Sequence, residues 1–167
     1  GAGTCRIIVG LSVFDFAVPL HPGPRGHWEA FSRASSYVDG IFSYFRAEVI
    51  VEGEYDKDKN YCICYFPHSL FAIGFPLIAD YLDRKHGMLL LFTVADVIFQ
   101  VPIIRRIMTW WGSTSVAEKR LKKNLTLPFP YNAIMLQPDG IAGMFYGLKH
   151  EQIVLGKRRG FCRLALQ

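Results

Sequence analysis

Lys59-Asn-Tyr-Cys-Ile-Cys-Tyr-Phe-Pro-His-Ser69 is the stretch whose reading decides the fold. Tyr61 to Phe66 is nearly all apolar, with the charged turn Asp56-Lys-Asp-Lys-Asn60 before it and Pro67 after it. That is the pattern of a short strand covered on both faces. Cys62 and Cys64 are two residues apart and face the same side of such a strand. Two cysteines at this spacing do not make a zinc site, and the five histidines are scattered, so buried reduced thiols are expected and no metal. Pro67-His68-Ser69 ends the run, and Leu70 to Arg84 reads as a helix. A lone histidine thus sits just past the end of an apolar strand, where it serves either as a structural, hydrogen-bonded residue or as a base.

Downstream, Leu89 to Val94 is a buried strand or helix, and Pro102 to Trp111 is helical with proline in its first turn. Gly112-Ser-Thr-Ser115 is expected as a turn able to cap a helix over Val116 to Asn124. Ala133 to Leu136 is a short apolar strand followed by the turn Pro138-Asp-Gly140. Ile153 to Leu155 is a strand or turn, and a helix starts over Gly160 to Leu166. Upstream, Trp28 to Phe45 places aromatics and aliphatics at helical spacing, a stripe that more often faces the core than a membrane. Val49-Ile-Val51, lying among acids, has a short-strand signature. The alternation of strands and helices predicts an α/β domain with helices on the faces of a central sheet.

Half of the 167 residues are hydrophobic (51%), 14% are aromatic, and mean hydropathy is +0.19. This is apolar for a soluble domain of this size and points to a membrane surface or a large partner. With 20% charged residues, disorder is excluded. The net charge of +5 gathers at Lys119, Arg120, Lys122 and Lys123, and again at Lys157, Arg158, Arg159 and Arg163. Such clusters meet anionic headgroups or cofactor phosphates, or form a solvated face. No nucleic-acid motif accompanies them, so nucleic acid is not expected as a partner. Ile7 to Leu20 has Asp15 as its only charge and is shorter than the ~20 residues that span a bilayer. Residues 1–20 are therefore the end of a membrane hairpin, a buried helix or an interfacial anchor, and residues 21–167 form the α/β domain. Leu89 to Ile104 is read as core rather than membrane span because of Asp96, Gln100 and Pro102. With Gly1 first and no complete targeting signal, the sequence reads as the interior of a longer chain. Asn124-Leu-Thr126 matches a glycosylation sequon, a weak pattern.

In order along the chain, these segments resemble the type-2 diacylglycerol and monoacylglycerol acyltransferases. Val13-Phe-Asp-Phe16, a Pro/Gly loop and Trp28 resemble the stretch after that family's membrane hairpin, and Tyr37 to Phe45 its aromatic helix. Lys59 to Ser69 resembles the strand leading into the family's Tyr-His-Pro-His-Gly motif. Phe99-Gln-Val-Pro102, Arg105 and Gly112-Ser-Thr-Ser115 are similar to its next block. Leu136-Gln-Pro-Asp-Gly-Ile-Ala-Gly-Met-Phe145 resembles its Pro-Gly-Gly-x-Ala-Glu turn, and Lys157-Arg-Arg-Gly-Phe-Cys-Arg-Leu-Ala-Leu166 its basic Lys-Gly-Phe block. The resemblance implies a mostly parallel sheet of glycerolipid acyltransferase type, of which 21–167 would be the N-terminal part, with further strands beyond. It also implies attachment to the endoplasmic reticulum or another organelle membrane.

The chemistry implied is transfer of a fatty acyl group from acyl-CoA to a glycerolipid hydroxyl. Histidine suits the base, a partner should orient it, donors should meet the oxyanion, and basic residues should hold the CoA phosphates. By resemblance, His68 is the surviving catalytic histidine, and Ser69, Gly140, Lys157, Arg158 and Arg159 contact substrate or acyl-CoA. Acyl-CoA is a substrate, with no resident cofactor. Four positions depart from the pattern: Phe66 stands where the family has its first histidine, Ser69 and Asp139 where it has glycines, and Gly143 where it has the acid. These departures lead to the expectation of a catalytically impaired, acyltransferase-like protein that serves as a lipid-binding or structural subunit of a membrane assembly, with membrane lipids and other subunits as partners. The alternative is an active enzyme making triacylglycerol from acyl-CoA and diacylglycerol, with His68 as general base.

Overall fold

The computed structural model describes residues 2–20, 22, 26–33, 37–66, 68, 72–146, 153, 155, 156 and 158–166. Its centre is a four-stranded, all-parallel sheet in the order β1-β4-β2-β3, with β1 Tyr61–Cys64, β2 Leu90–Val94, β3 Ser113–Ser115 and β4 Ala133–Leu136. Tyr61 pairs with Ala133 and Cys64 with Leu136, and Leu90 also pairs with Ala133. Strand β4 is therefore central, and all four of its residues are buried.

Alternation along the strands divides the core into two layers. Ala133 and Met135 join Leu90, Leu82 and Met88 on one face, under α4 (Gly74–His86). Ile134 and Leu136 join Leu91, Leu121 and Leu164 on the other, under α6 (Glu118–Leu125) and α8 (Gly160–Ala165). Helix α4 closes on Gly87, which takes the left-handed conformation (φ +66°) and donates its N–H to the carbonyls of Leu82 and Asp83, a glycine C-cap that leads straight into β2. Arg84, Lys85 and His86 in its last turn suit the negative end of the helix dipole. Two buried asparagines are held through their amide nitrogens: Asn132 Nδ2 donates to the carbonyls of Lys57 (3.1 Å) and Lys59 (2.7 Å), stitching the charged turn to β4. Asn124 Nδ2 donates to Thr114 Oγ1 at 2.9 Å, and Asn124 is fully buried, so the sequon cannot be glycosylated in the folded chain.

Several sequence expectations are corrected. Among the described residues, Trp28 to Phe45 holds the helices α2 (Glu29–Arg33) and α3 (Tyr37–Phe45). Its stripe is only partly inward: Val38 is buried, but Tyr44 and Phe45 are exposed. Val49-Ile-Val51 joins no sheet: Ile50 is exposed and only Val49 and Val51 are half-buried. Gly112-Ser-Thr-Ser115 is not merely a turn. Gly112 (φ +84°) reverses the chain, and Ser113–Ser115 then pairs with Phe92–Val94 as edge strand β3. Ser115 Oγ does accept the Ala117 N–H at 3.0 Å, ahead of α6. The helix expected from Leu70 starts at Gly74 among the described residues. That expected from Pro102 is α5 (Ile104–Trp110), preceded by a 3₁₀ turn over Asp96–Gln100. Ile153 and Leu155 are exposed and lie in no strand.

Helix α1 (Ala2–Ala17) is apolar all round and mostly uncovered: Ile7, Ile8, Val9, Leu11, Val13, Phe14 and Phe16 are exposed. It docks through Asp15, which is 3% exposed. Arg105 Nε meets Asp15 Oδ2 at 2.7 Å and Arg106 Nε meets Asp15 Oδ1 at 2.6 Å. The Arg106 guanidinium also donates to the carbonyls of Asp15 (2.6 Å), Val18 (2.9 Å) and Pro19 (3.1 Å), satisfying the orphan carbonyls at the helix end. The Arg105 guanidinium carbon lies 4.2 Å from the Phe16 ring centroid. Among the described residues no helix is long and apolar enough to cross a membrane.

Cys62 and Cys64 do share one side of β1 and are half-buried, while Cys5 and Cys162 are exposed; all four are free. Burial, with Cys64 adjacent, pushes the Cys62 thiol up to about 11. Thiolate is the reacting species, so iodoacetamide at pH 8 should modify Cys5 and Cys162 within minutes and Cys62 only after denaturation. Mass spectrometry of tryptic peptides reads this out, and equal labelling of all four would contradict the packing of β1.

Candidate functional site

Because β1 and β4 are parallel neighbours, their carboxyl ends open on the same edge of the sheet, the end at which open α/β sheets place ligands. Pairing runs one step past β1, with Tyr65 N–H donating to Leu136 O at 2.9 Å. The chain after β1 then reaches half-buried His68, whose main-chain N–H donates to Asp139 Oδ2 at 3.4 Å. After β4, Gly140 N–H closes a turn on Gln137 O at 3.0 Å, with Gly140 at φ +51°. Helix α7 (Gly140–Tyr146) follows.

The third arm comes from just before α8. Arg158 Nη1 donates to Pro138 O at 3.4 Å, laying the guanidinium across the β4–α7 turn. A Cβ on Gly140 would stand 2.5 Å from that nitrogen, so glycine at 140 serves both the left-handed backbone and the close approach of the arginine. His68, the Gly140 turn and Arg158 are thus brought together by three segments distant in sequence. Arg159 is exposed at the entry to α8. Ser69 and Lys157 lie outside the described residues. The other basic cluster is separate: Lys119, Arg120, Lys122 and Lys123 are exposed on α6, with Lys122 paired to Glu118 at 3.0 Å, which fits a solvated helix face.

At the departing positions, Phe66 is half-buried beyond β1. Asp139 is 0% exposed, and its side chain fills the space beside Gly143: a Cβ built on Gly143 would fall inside the Asp139 carboxyl group. Sequence reasoning placed Asp139 and Gly143 as two separate losses and missed that they are one packing arrangement. Their i, i+4 spacing was the available signal, since such residues share a helix face. Among the described residues no group of His, Cys, Asp and Glu could hold a metal. A small cavity of about 70 Å³ lies elsewhere, between α2–α4 and β2. Its walls include Arg33 and Asp83, which are already ion-paired at 2.7 Å, and neither His68 nor the Gly140 turn borders it.

The family model for diacylglycerol acyltransferases matches residues 5–167. The chain belongs to the diacylglycerol acyltransferase family. Among curated relatives it is 27% identical to diacylglycerol O-acyltransferase 2 of Dictyostelium discoideum, over 74% of this chain and 39% of that protein. It is 25% identical to human acyl-CoA wax alcohol acyltransferase 2, over 96% of this chain and 49% of the relative. It is 28% identical to diacylglycerol O-acyltransferase 2A of Umbelopsis ramanniana, over 74% and 37%. The chain therefore spans less than half the length of these relatives. No solved structure matches it. In this chain His68 lies just beyond edge strand β1 of the all-parallel sheet, its main chain bonded to the turn that follows β4.

Proposed function

We propose that this chain carries the acyl-transfer site of a membrane-associated acyl-CoA:glycerolipid O-acyltransferase, with His68 as general base. The carrying observation is the convergence of His68 and Arg158 on the β4–α7 turn. A histidine whose main chain is held at this turn, with a guanidinium fixed on the same turn, suits a thioester donor bearing phosphates. The imidazole takes the proton of the glycerolipid hydroxyl as its oxygen attacks the thioester carbonyl. The tetrahedral intermediate then collapses, the C–S bond breaks, and the CoA sulfur leaves with the proton returned by His68. Arg158, with Lys157 and Arg159 of the same block, meets the donor's phosphates, and Ser69 and Gly140 line the reacting end. Acyl-CoA enters as a substrate, without a resident cofactor or metal. Diacylglycerol is the acceptor class by family, and the endoplasmic reticulum the membrane. The exposed apolar surface of α1 meets lipid there.

Phe66 and Gly143 favour a second reading, a family member that holds lipid without turning over and serves as a subunit of a membrane assembly. Labelled oleoyl-CoA and diacylglycerol supplied to membranes expressing the complete protein separate the two. Labelled triacylglycerol above that of empty membranes is the expected result. Absence of product from folded, membrane-bound protein, with monoacylglycerol and fatty alcohol also tried as acceptors, sinks the transferase reading.

A further inference from the structure

The Asp139 carboxyl group is fully buried at the site edge, and nothing in the transfer chemistry above uses it. One oxygen, Oδ2, accepts the main-chain N–H of His68. The other, Oδ1, is buried, and among the described residues no donor reaches it. A buried carboxylate oxygen left unmatched is costly, and such groups are rare in folded proteins unless a function or a ligand accounts for them. Packing adds a second, independent fact. The carboxyl group stands where any side chain at 143 would begin, with Asp139 Cβ itself 3.0 Å from that point. Residues 139 and 143 are therefore exclusive: an acid reaches this corner from one position or from the other, and here it comes from 139.

We propose that Asp139 is the positioning carboxylate of the His68 site, with Oδ2 fixing the His68 main chain and Oδ1 the acceptor offered to the donor group that operates there. Glycine at 143 is the space this requires rather than a lost acid. Arg158 is the cation on the same turn, and its guanidinium is engaged with Pro138 O. This deepens the transferase reading and rests on it only for the role of Oδ1.

The test uses the complete protein in membranes or detergent, with two readouts. In Asp139→Asn the amide oxygen still accepts the His68 N–H, but an NH₂ group replaces the free acceptor. Melting temperature should hold, while kcat falls roughly 10²-fold with the KM for acyl-CoA unchanged, the loss expected when a catalytic group is slightly misplaced. Hydrogen exchange at the His68 amide should be slow in wild type and in Asp139→Asn, and fast in Asp139→Ala. Gly143→Glu alone should speed that exchange and lower the melting temperature, and the double change Asp139→Gly with Gly143→Glu should recover both, the non-additivity expected of groups in contact. Wild-type exchange in Asp139→Ala, or wild-type kcat in Asp139→Asn, overturns the proposal. If wild type makes no product, the transferase reading falls by itself, while exchange at His68 in the Ala and double variants still decides whether Asp139 holds the segment.

Discussion

Replacing His68 with alanine should lower acyl transfer by roughly 10²–10⁴-fold, the contribution typical of a positioned general base, and leave the fold standing. The structure separates the two effects. One tie of residue 68 to the domain is its main-chain N–H, bonded to Asp139 Oδ2, and alanine keeps that N–H. The imidazole is half-buried beyond the strand end and belongs to neither core cluster, so its removal opens no cavity under the sheet. Arg158 stands on its own bond to Pro138 O, so the KM for acyl-CoA should change little while kcat collapses. Initial rates with labelled oleoyl-CoA and a melting curve check this together. A His68→Ala protein that melts like wild type and transfers acyl groups at the wild-type rate would remove His68 from the chemistry.

Asp15→Ala should release the end of α1 and cost roughly 2 kcal/mol, less than the ~3–5 kcal/mol lost when one partner of a fully enclosed ion pair is removed. The loss is substantial because two guanidiniums, only 16% and 14% exposed, share this one carboxylate. It is moderated because the covering layer is thin and because both arginines keep bonds to carbonyls at the helix end. Burial pushes the Asp15 carboxyl up, but hydrogen bonds from Arg105 and Arg106 outweigh it and hold the group below the ordinary value of 3.8. A carboxyl whose folded value lies below its unfolded one adds stability that is full above the unfolded value and lost as pH falls through the folded one. The stability gap between wild type and Asp15→Ala should therefore be widest at neutral pH and shrink below about pH 3.8. Denaturant midpoints of the detergent-held protein across pH 2.5–7 read it out. A gap independent of pH would mean that the clamp does not act through charge.

Strands β1 and β4 and most of the helices could be read from local pattern, because each strand lies in a nearly unbroken apolar run, Tyr61–Phe66 and Ala133–Leu136. Asp15 was visible as well, as the only charge between Ile7 and Leu20. Which partner could not be read: Arg105 and Arg106 lie some ninety residues away. Edge strand β3 was read as a turn because Ser-Thr-Ser has no apolar signature. What makes it a strand is pairing with Phe92–Val94, a partner that local preference does not contain.

By itself, the sequence determined the chain's class, its family resemblance and the residue types available to a site. Those follow from hydrophobic period and from motifs in order, and both are local properties. Only the tertiary structure decided that Asp139 and Gly143 are one arrangement, and that the carboxyl group of the first occupies the space left by the second. Read in a line, glycine at 143 is a missing acid. In three dimensions, close packing allows only one side chain in that volume, and the one that fills it brings a carboxylate to His68.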